Sequence, residues 1–410
     1  MVYVEDGTPE LTINGSGRIG GPIIFTGRPG QPRPRVDRVE STGCRQIWLI
    51  GLEIRHLRFV GTFQDILIED CLFAGNSDGD NLLIQTFPSG RSQRIAIRRC
   101  IITFAKRQGL FAKWIDQLLI EECLFDHNGW PPEEASGSAF DEDGQSSSSG
   151  DTSGGPTMFN HNIYLKECRD VVIRGNVLAR GSSFGLKISS DRTGGMVNVL
   201  VEDNLFLGDA NGITVGRSGR YADYATRNLT FRRNVFTELG RTLNGQAQAI
   251  GIHLTSVDGG VIERNFFIYK DYPAPHAALE LEDDHPQRNI AVRNNVVYRW
   301  HVNNDGNPWR VTSGSSEENS GGGDGSDFQN VTSTGDLIEP DAPPALRTAD
   351  EAARLLGHDG YEAMLEAMRQ RRRSDWPAGL TPAAAIEAMV KPFQKRLEGD
   401  KRFLRPAHSE

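Results

Sequence analysis

The chain has 410 residues, 38% of them hydrophobic, with 45 glycines and a formal net charge of −9, so it is long enough for one large solenoid or two to three ordinary domains. The negative balance excludes a general nucleic-acid binder, because affinity for backbone phosphate needs a positive surface. No apolar run reaches the roughly eighteen residues of a membrane span, and the five cysteines follow no CxxC or Cys/His spacing that would suggest disulfides or a metal site.

From the N-terminus, Met1 to Asn14 carries neither a basic start nor an apolar stretch, so no export signal is expected in this chain. Further on, one short pattern recurs: a β-branched or aromatic residue, two polar residues, Cys or Asn, then two apolar residues. It reads IEDCLF at Cys71, IRRCII at Cys100, IEECLF at Cys123 and IRGNVL at Asn176. It continues as VEDNLF at Asn204, FRRNVF at Asn234, IERNFF at Asn265 and VRNNVV at Asn295. Successive intervals are 29, 23, 53, 28, 30, 31 and 30 residues. Such periods signal stacked units that cannot bury a hydrophobic face alone. The alternation within each unit has the period of a strand, and the L-x-x-L-x-L frame of a leucine-rich repeat is missing. The spacing predicts an all-β solenoid of parallel coils. The fourth position becomes an internal ladder of Cys and Asn, and Phe73, Phe125, Phe206, Phe236 and Phe267 become a core stack.

The long interval contains an insert, 131–157, with six carboxylates and no Lys or Arg, which reads as a surface loop. A calcium loop is a minor alternative there, since the Asp spacing does not fit an EF-hand frame. Beyond the solenoid, 1–312, residues 313–345 read as a flexible linker and 346–410 as an α-helical tail. Capping-box spacing of Thr348 with Glu351 and of Asp359 with Glu362, and the pair Thr381-Pro382, predict two or three short helices there. They are expected to cover the open end of the solenoid or to pack along its side.

A second strand set precedes each ladder turn: NLLIQ from Asn81, GLFAK from Gly109, NIYLK from Asn162, GLKIS from Gly185, GITVG from Gly212, GIHLT from Gly251 and ALELE from Ala278. If second and fourth residues point inward, third and fifth form two outer columns. The third-residue column runs Leu83, Phe111, Tyr164, Lys187, Thr214, His253, Glu280. The fifth runs Gln85, Lys113, Lys166, Ser189, Gly216, Thr255, Glu282. Tyr164, Lys187 and His161 are the candidate catalytic set. Lys113, Lys166, Arg192, His253, Glu280 and the turn residues His127, Asn128 and Trp130 are candidate substrate contacts.

The repeats from Ile47 to Trp300 resemble the pectin-lyase-like right-handed parallel β-helices, a superfamily of pectate, alginate and chondroitin lyases, mannuronan epimerases, polygalacturonases and phage tailspikes. The segment SGRIGGPIIFTGRPGQPRPRV, Ser16 to Val36, looks like their N-terminal cap, placed here at about 1–46. The resemblance implies a carbohydrate-active protein, with a lyase for an acidic uronate polysaccharide such as alginate or pectin as the leading expectation. A tailspike-like glycan binder and a glycoside hydrolase are the alternatives. β-Elimination needs a base beside the uronate carboxylate, a cation to neutralise it and an acid for the leaving oxygen. A phenol serves as acid or base when a neighbouring cation lowers its pKa. Tyr164 would be that phenol, Lys187 and Lys166 the cations, Lys113 and Arg192 further positive subsites, and His161 an alternative base. Some similar lyases use calcium. No cofactor is otherwise implied, and no nucleic-acid or membrane partner. The setting would be extracellular or periplasmic, the signal having been trimmed, with a phage virion as alternative. The DPHD motif of the epimerases and an NGGE-type lyase motif are both absent. The polygalacturonase Asp pairs are missing from the strand face, Asp283-Asp284 falling in a late turn. Glu280 and Glu282 keep hydrolysis open.

Overall fold

The computed structural model describes residues 1–77, 79–87, 89–130, 159–190, 195–217, 226–240, 249–274, 276–281, 287–302, 308–310, 328–338, 349–355 and 357–370. All pairings between its strands are parallel, and each strand pairs with the equivalent strand of the next coil. Three sheets result. The first runs from Leu82–Gln85 to Trp309–Arg310, the second from Ser92–Arg98 to Phe328–Thr334, and the third from Leu72–Ala74 to Leu337–Ile338. The expected N-terminal cap is itself coiled. Within it Ile23–Thr26 stacks on Ile47–Ile50, and the long strands Arg35–Ile50 and Glu53–Glu69 run side by side through the corners. At Gly61 a side chain is excluded, because a Cβ there would lie 1.8 Å from the Thr42 carbonyl oxygen.

The turn from the second to the third sheet explains the repeat. Immediately before each ladder residue the backbone enters the left-handed region, at Asp70, Arg99, Glu122, Asp203, Arg233, Arg264 and Asn294 with φ between 52° and 56°. Such a backbone costs a non-glycine residue of order 1 kcal/mol, and the ladder that follows offsets it. Asn204 donates from Nδ2 to the carbonyls of Ile173 and Glu202 and to Asn234 Oδ1, each within 3.0 Å, and its Oδ1 accepts the Asn176 backbone N–H. The same scheme repeats at Asn234, Asn265 and Asn295. The early coils substitute sulfur. Cys71, Cys100 and Cys123 are free and fully buried, and the Cys123 backbone N–H passes to Asn176 Oδ1 at 2.9 Å. Burial pushes the Cys71 and Cys100 thiols well above their ordinary pKa. Beside the ladder Phe206, Phe236 and Phe267 stack at 4.7 and 4.8 Å.

The two polar positions of the repeat carry a second pattern. In the first of them Glu69, Arg98, Glu121, Arg174, Glu202, Arg232, Glu263 and Arg293 are cross-strand neighbours in strict alternation of sign. Ion pairs follow, such as Arg174–Glu121 at 2.6 Å, Arg232–Glu202 at 2.7 Å and Arg293–Glu263 at 2.8 Å. Opposite charges directly across a pair favour that register over a slipped one.

Two expectations are corrected. The expected linker 313–345 contains one more coil: Phe328–Thr334 and Leu337–Ile338 pair in register with the preceding strands, and Asp336 takes the last rung by accepting from Asn295 at 2.8 and 2.9 Å. The sequence pattern missed it because aspartate replaces Asn there. The tail helices α1 (Ala349–Leu355) and α2 (Tyr361–Arg369) pack along the side of the third sheet, whose outward residues Leu124, Val177, Leu205 and Val235 meet Ala353, Tyr361, Met364, Leu365 and Met368. The Asp359–Glu362 box does not form, because Gly360 is the N-cap and Asp350 of α1 accepts the Tyr361 N–H at 2.8 Å. The insert 131–157, the third expected helix near Thr381-Pro382 and most of the 313–345 stretch lie outside the described residues.

Candidate functional site

The first sheet alternates as its sequence requires. Leu110 and Ala112, Ile163 and Leu165, Leu186 and Ile188, and their equivalents are buried in the core. The third-residue column is therefore outward, and it is continuous in register: Leu83, Phe111, Tyr164, Lys187, Thr214, His253, Glu280 and then Arg310. In the fifth-residue column Gln85, Lys113, Lys166, Ser189 and Gly216 are likewise neighbours.

Three catalytic candidates meet at one place. The Lys187 ammonium lies 5.4 Å from the centroid of the Tyr164 ring, and the His161 ring meets Tyr164 edge-on at 5.5 Å. Phe111 closes the other side of Tyr164 at 5.2 Å, and Phe184 flanks His161 at 6.0 Å. His161 is 1% exposed; the Phe184 backbone N–H donates to its Nδ1 at 3.3 Å, and its Nε2 has no partner among the described residues. Burial, aided by the Lys187 charge, pushes the His161 pKa well below its ordinary value, so the ring is neutral. Burial and the neighbouring Lys166 charge lower Lys187, and among the described residues Lys187 makes no hydrogen bond or ion pair. Lys113 sits over the Trp114 ring at 4.0 Å.

Farther along the column Thr214 Oγ1 and His253 Nδ1 are 3.3 Å apart. Glu280 is bonded to His276 Nδ1 and Arg310 Nη1, both at 2.9 Å. Burial works to raise the Glu280 carboxyl, but the bonds and charges of His276 and Arg310 outweigh it and hold it below its ordinary value. Beside it Lys270 is fully buried and donates to the His276 carbonyl at 2.9 Å; burial brings its pKa down to about 7. Sequence reading missed Lys270, His276 and Arg310. Lys270 sits in the third sheet, and nothing in its local pattern says that the chain bends it inward.

The turn candidates are not part of this face. Asn128 is fully buried and bonds Ala105 N–H, the Ile102 carbonyl and Asn162. Trp130 is 7% exposed and donates to the Arg180 carbonyl at 3.1 Å, while His127 is wedged between Phe104 and Trp130 and lowered by burial to about 4. These three stabilise a coil turn and offer little to a ligand. Arg192 and Glu282 lie outside the described residues.

The model of the right handed beta helix region matches residues 59–236. This chain is a right-handed parallel β-helix. Solved structures similar to the β-helix include a mannuronic acid specific polysaccharide family 6 lyase from human gut microbiota, at 14% identity, covering 82% of this chain and 76% of that one with a TM-score of 0.39. A mannuronan C-5 epimerase A-module from Azotobacter vinelandii is 12% identical over 83% of this chain and 89% of that one, TM-score 0.36. A double mutant of an E. coli bacteriophage tailspike protein is 14% identical over 72% and 56%, TM-score 0.38. No curated protein matches the sequence. At such scores the likenesses carry no argument about chemistry, which rests on the side chains.

Proposed function

We propose that this β-helix is carbohydrate-active and cleaves an acidic polysaccharide by β-elimination on the outer face of its first sheet. One observation carries the reading. The Lys187 ammonium has no hydrogen bond or ion pair among the described residues, and it lies against the Tyr164 ring. A half-buried cation without an acceptor favours an anionic ligand group, and a uronate carboxylate has the right charge and size. In the reaction, the proton on the carbon beside the carboxylate passes to the Tyr164 oxygen, and its bonding electrons form the new carbon–carbon double bond. The bond to the leaving oxygen breaks, and that oxygen takes a proton from Tyr164. Lys187 and Lys166 neutralise the carboxylate, and Lys113 extends the positive strip.

Hydrolysis through Glu280 is the weaker reading. Its carboxyl is held below its ordinary value by the bonds from His276 and Arg310, which ill suits a general acid. A polymer substrate would place the work outside the cytoplasm, and no described helix is long and apolar enough to cross a membrane. The test is a panel of alginate, pectate and neutral glycans read by the ultraviolet absorbance of the unsaturated product. Absorbance growth on a uronate polymer alone supports elimination. Reducing ends without absorbance would show hydrolysis, and binding without either would make the protein a tailspike-like glycan binder.

A further inference from the structure

Asp126 and Asp209 are both fully buried, but only the first meets cations. Asp126 receives Arg180 and Arg369. Asp209 receives no cation among the described residues. Its Oδ1 accepts the Gly181 N–H at 2.6 Å and the Asn162 amide at 2.9 Å, and its Oδ2, also buried, accepts nothing there. A Cβ on Gly185 would stand 2.6 Å from Oδ2 and 2.8 Å from the Phe206 ring carbon Cδ1. Oδ2 therefore faces the backbone of the strand Phe184–Ser190 and an aromatic edge. An ionised carboxyl spreads its charge over both oxygens. A buried charge with neither donor nor counter-ion is so costly that the group keeps a proton instead. Burial outweighs the two N–H bonds, and the Asp126 charge adds to it, holding the Asp209 pKa well above its ordinary value.

A neighbouring coil supplies the comparison. Asn128 lies two residues beyond the strand Leu124–Asp126, as Asp209 does beyond Leu205–Leu207. The Asn128 amide donates to the Ile102 carbonyl and to Asn162 Oδ1, and Asn162 donates in turn to Asp209. We infer that Asp209 is a buried carboxylic acid and a pH-sensitive switch beneath the strands of Tyr164 and Lys187. Neutral, it closes the turn. Ionised, it drives Oδ2 away from Gly185 toward water and draws Oδ1 off Gly181 and Asn162, the residue that opens the Tyr164 strand. The titratable and charged groups around it are Asp126 with Arg180, Arg369 and His127, and Tyr361 and Glu362 of α2. Glu238 lies on the next coil, and His161 and Lys187 on the first-sheet side. None of them bonds Asp209, and Arg180 is already engaged by Asp126 and Glu362. The sign follows. Below about pH 4 folded and unfolded chains both carry the proton. Above it the unfolded chain releases its proton first, so the contribution of Asp209 to stability is full in acid and falls as pH rises toward the folded pKa.

The experiment is carboxyl-carbon NMR on the full chain with isotope-labelled aspartate, Asp209 being assigned through its own backbone. At about pH 5.5, where an exposed aspartate is ionised, its carboxyl carbon should keep the shift of a protonated acid. A carboxylate shift there overturns the inference. As the pH is raised until that carbon titrates, the Gly181 and Gly185 amide signals should move with the same midpoint, and in Asp209→Asn they should stay in place. Titration with both amides unmoved, equal movement in the variant, or a proton kept throughout the folded range overturns the switch. In denaturant unfolding, the folding constant of Asp209→Asn relative to the parent should rise about tenfold per pH unit above about pH 4, for as long as the parent keeps its proton. A ratio that is flat with pH overturns the inference. The spectrum of the parent decides the protonation state even where the variant fails to fold.

Discussion

Lys187 stands directly across the sheet from Tyr164, one coil further on, with its ammonium 5.4 Å from the phenol ring centroid and no carboxylate among the described residues to neutralise it. Tyr164→Phe and Lys187→Ala should fold normally, since both side chains face outward, and each should lose about 10²–10⁴-fold in turnover of a uronate polymer. Thr214→Ala, next in the column, should cost little. Near-normal rates in both site variants would remove Tyr164 and Lys187 from the chemistry.

The ladder predicts a large stability loss from a side chain that touches no ligand. Asn204→Ala strips acceptors and donors from three coils at once and should cost about 2–4 kcal/mol in denaturant unfolding. Asn198→Ala belongs to an exposed outer row, where Asn228 donates to Asn198 and Asn198 to Asp170. That variant should lose only about 1 kcal/mol, the cost of an alanine at the left-handed φ of 56° that Asn198 holds. Equal costs would mean that the inner ladder is no more than packing.

Charge alternation can be tested by breaking it once. Glu202→Arg would place like charges beside Arg174 and Arg232, its neighbours in register, and would leave Arg233, which Glu202 also pairs at 3.0 Å, with Asp203 alone. We expect a loss of about 1–3 kcal/mol, partly relieved by high salt. Glu202→Gln should cost less, and the absence of any salt dependence in Glu202→Arg would contradict the assignment.

Lys270 gives a pH dependence whose sign is fixed. Burial lowers it to about 7, against an unfolded value of about 10.4. Below pH 7 both states hold the proton and the full cost of burying the ammonium is present. Between about pH 7 and 10.4 the unfolded chain binds more protons, so the contribution of this group to stability rises with pH. Glu280 and Arg310, the charges that act on it, and His276, whose carbonyl it bonds, are unchanged in Lys270→Met. That variant should lose most of the rise, as read by unfolding across this range. An identical slope in the variant would show that Lys270 titrates normally.

How far the sequence reached follows from where each interaction lies. The ladder, the aromatic stack and the outward column were legible because each is a repeat of one position per coil. Spacing and alternation alone fix which residues become neighbours, so the Tyr164–Lys187 pair could be read from NIYLK and GLKIS. The coil at Phe328–Thr334 was missed because Asp336 carries the rung that Asn carries elsewhere.

What only the tertiary structure decided is the environment of each side chain. His161 precedes its strand and looked like an available base, yet the backbone of the next coil consumes its lone pair. Asn128 and Trp130 looked like sugar contacts, yet packing between coils leaves them bonded inward. The sequence determined the neighbours along the column through its period. Burial, which sets what a polar group has left to offer a ligand, depends on atoms contributed by other coils and by α2, and no local pattern encodes them.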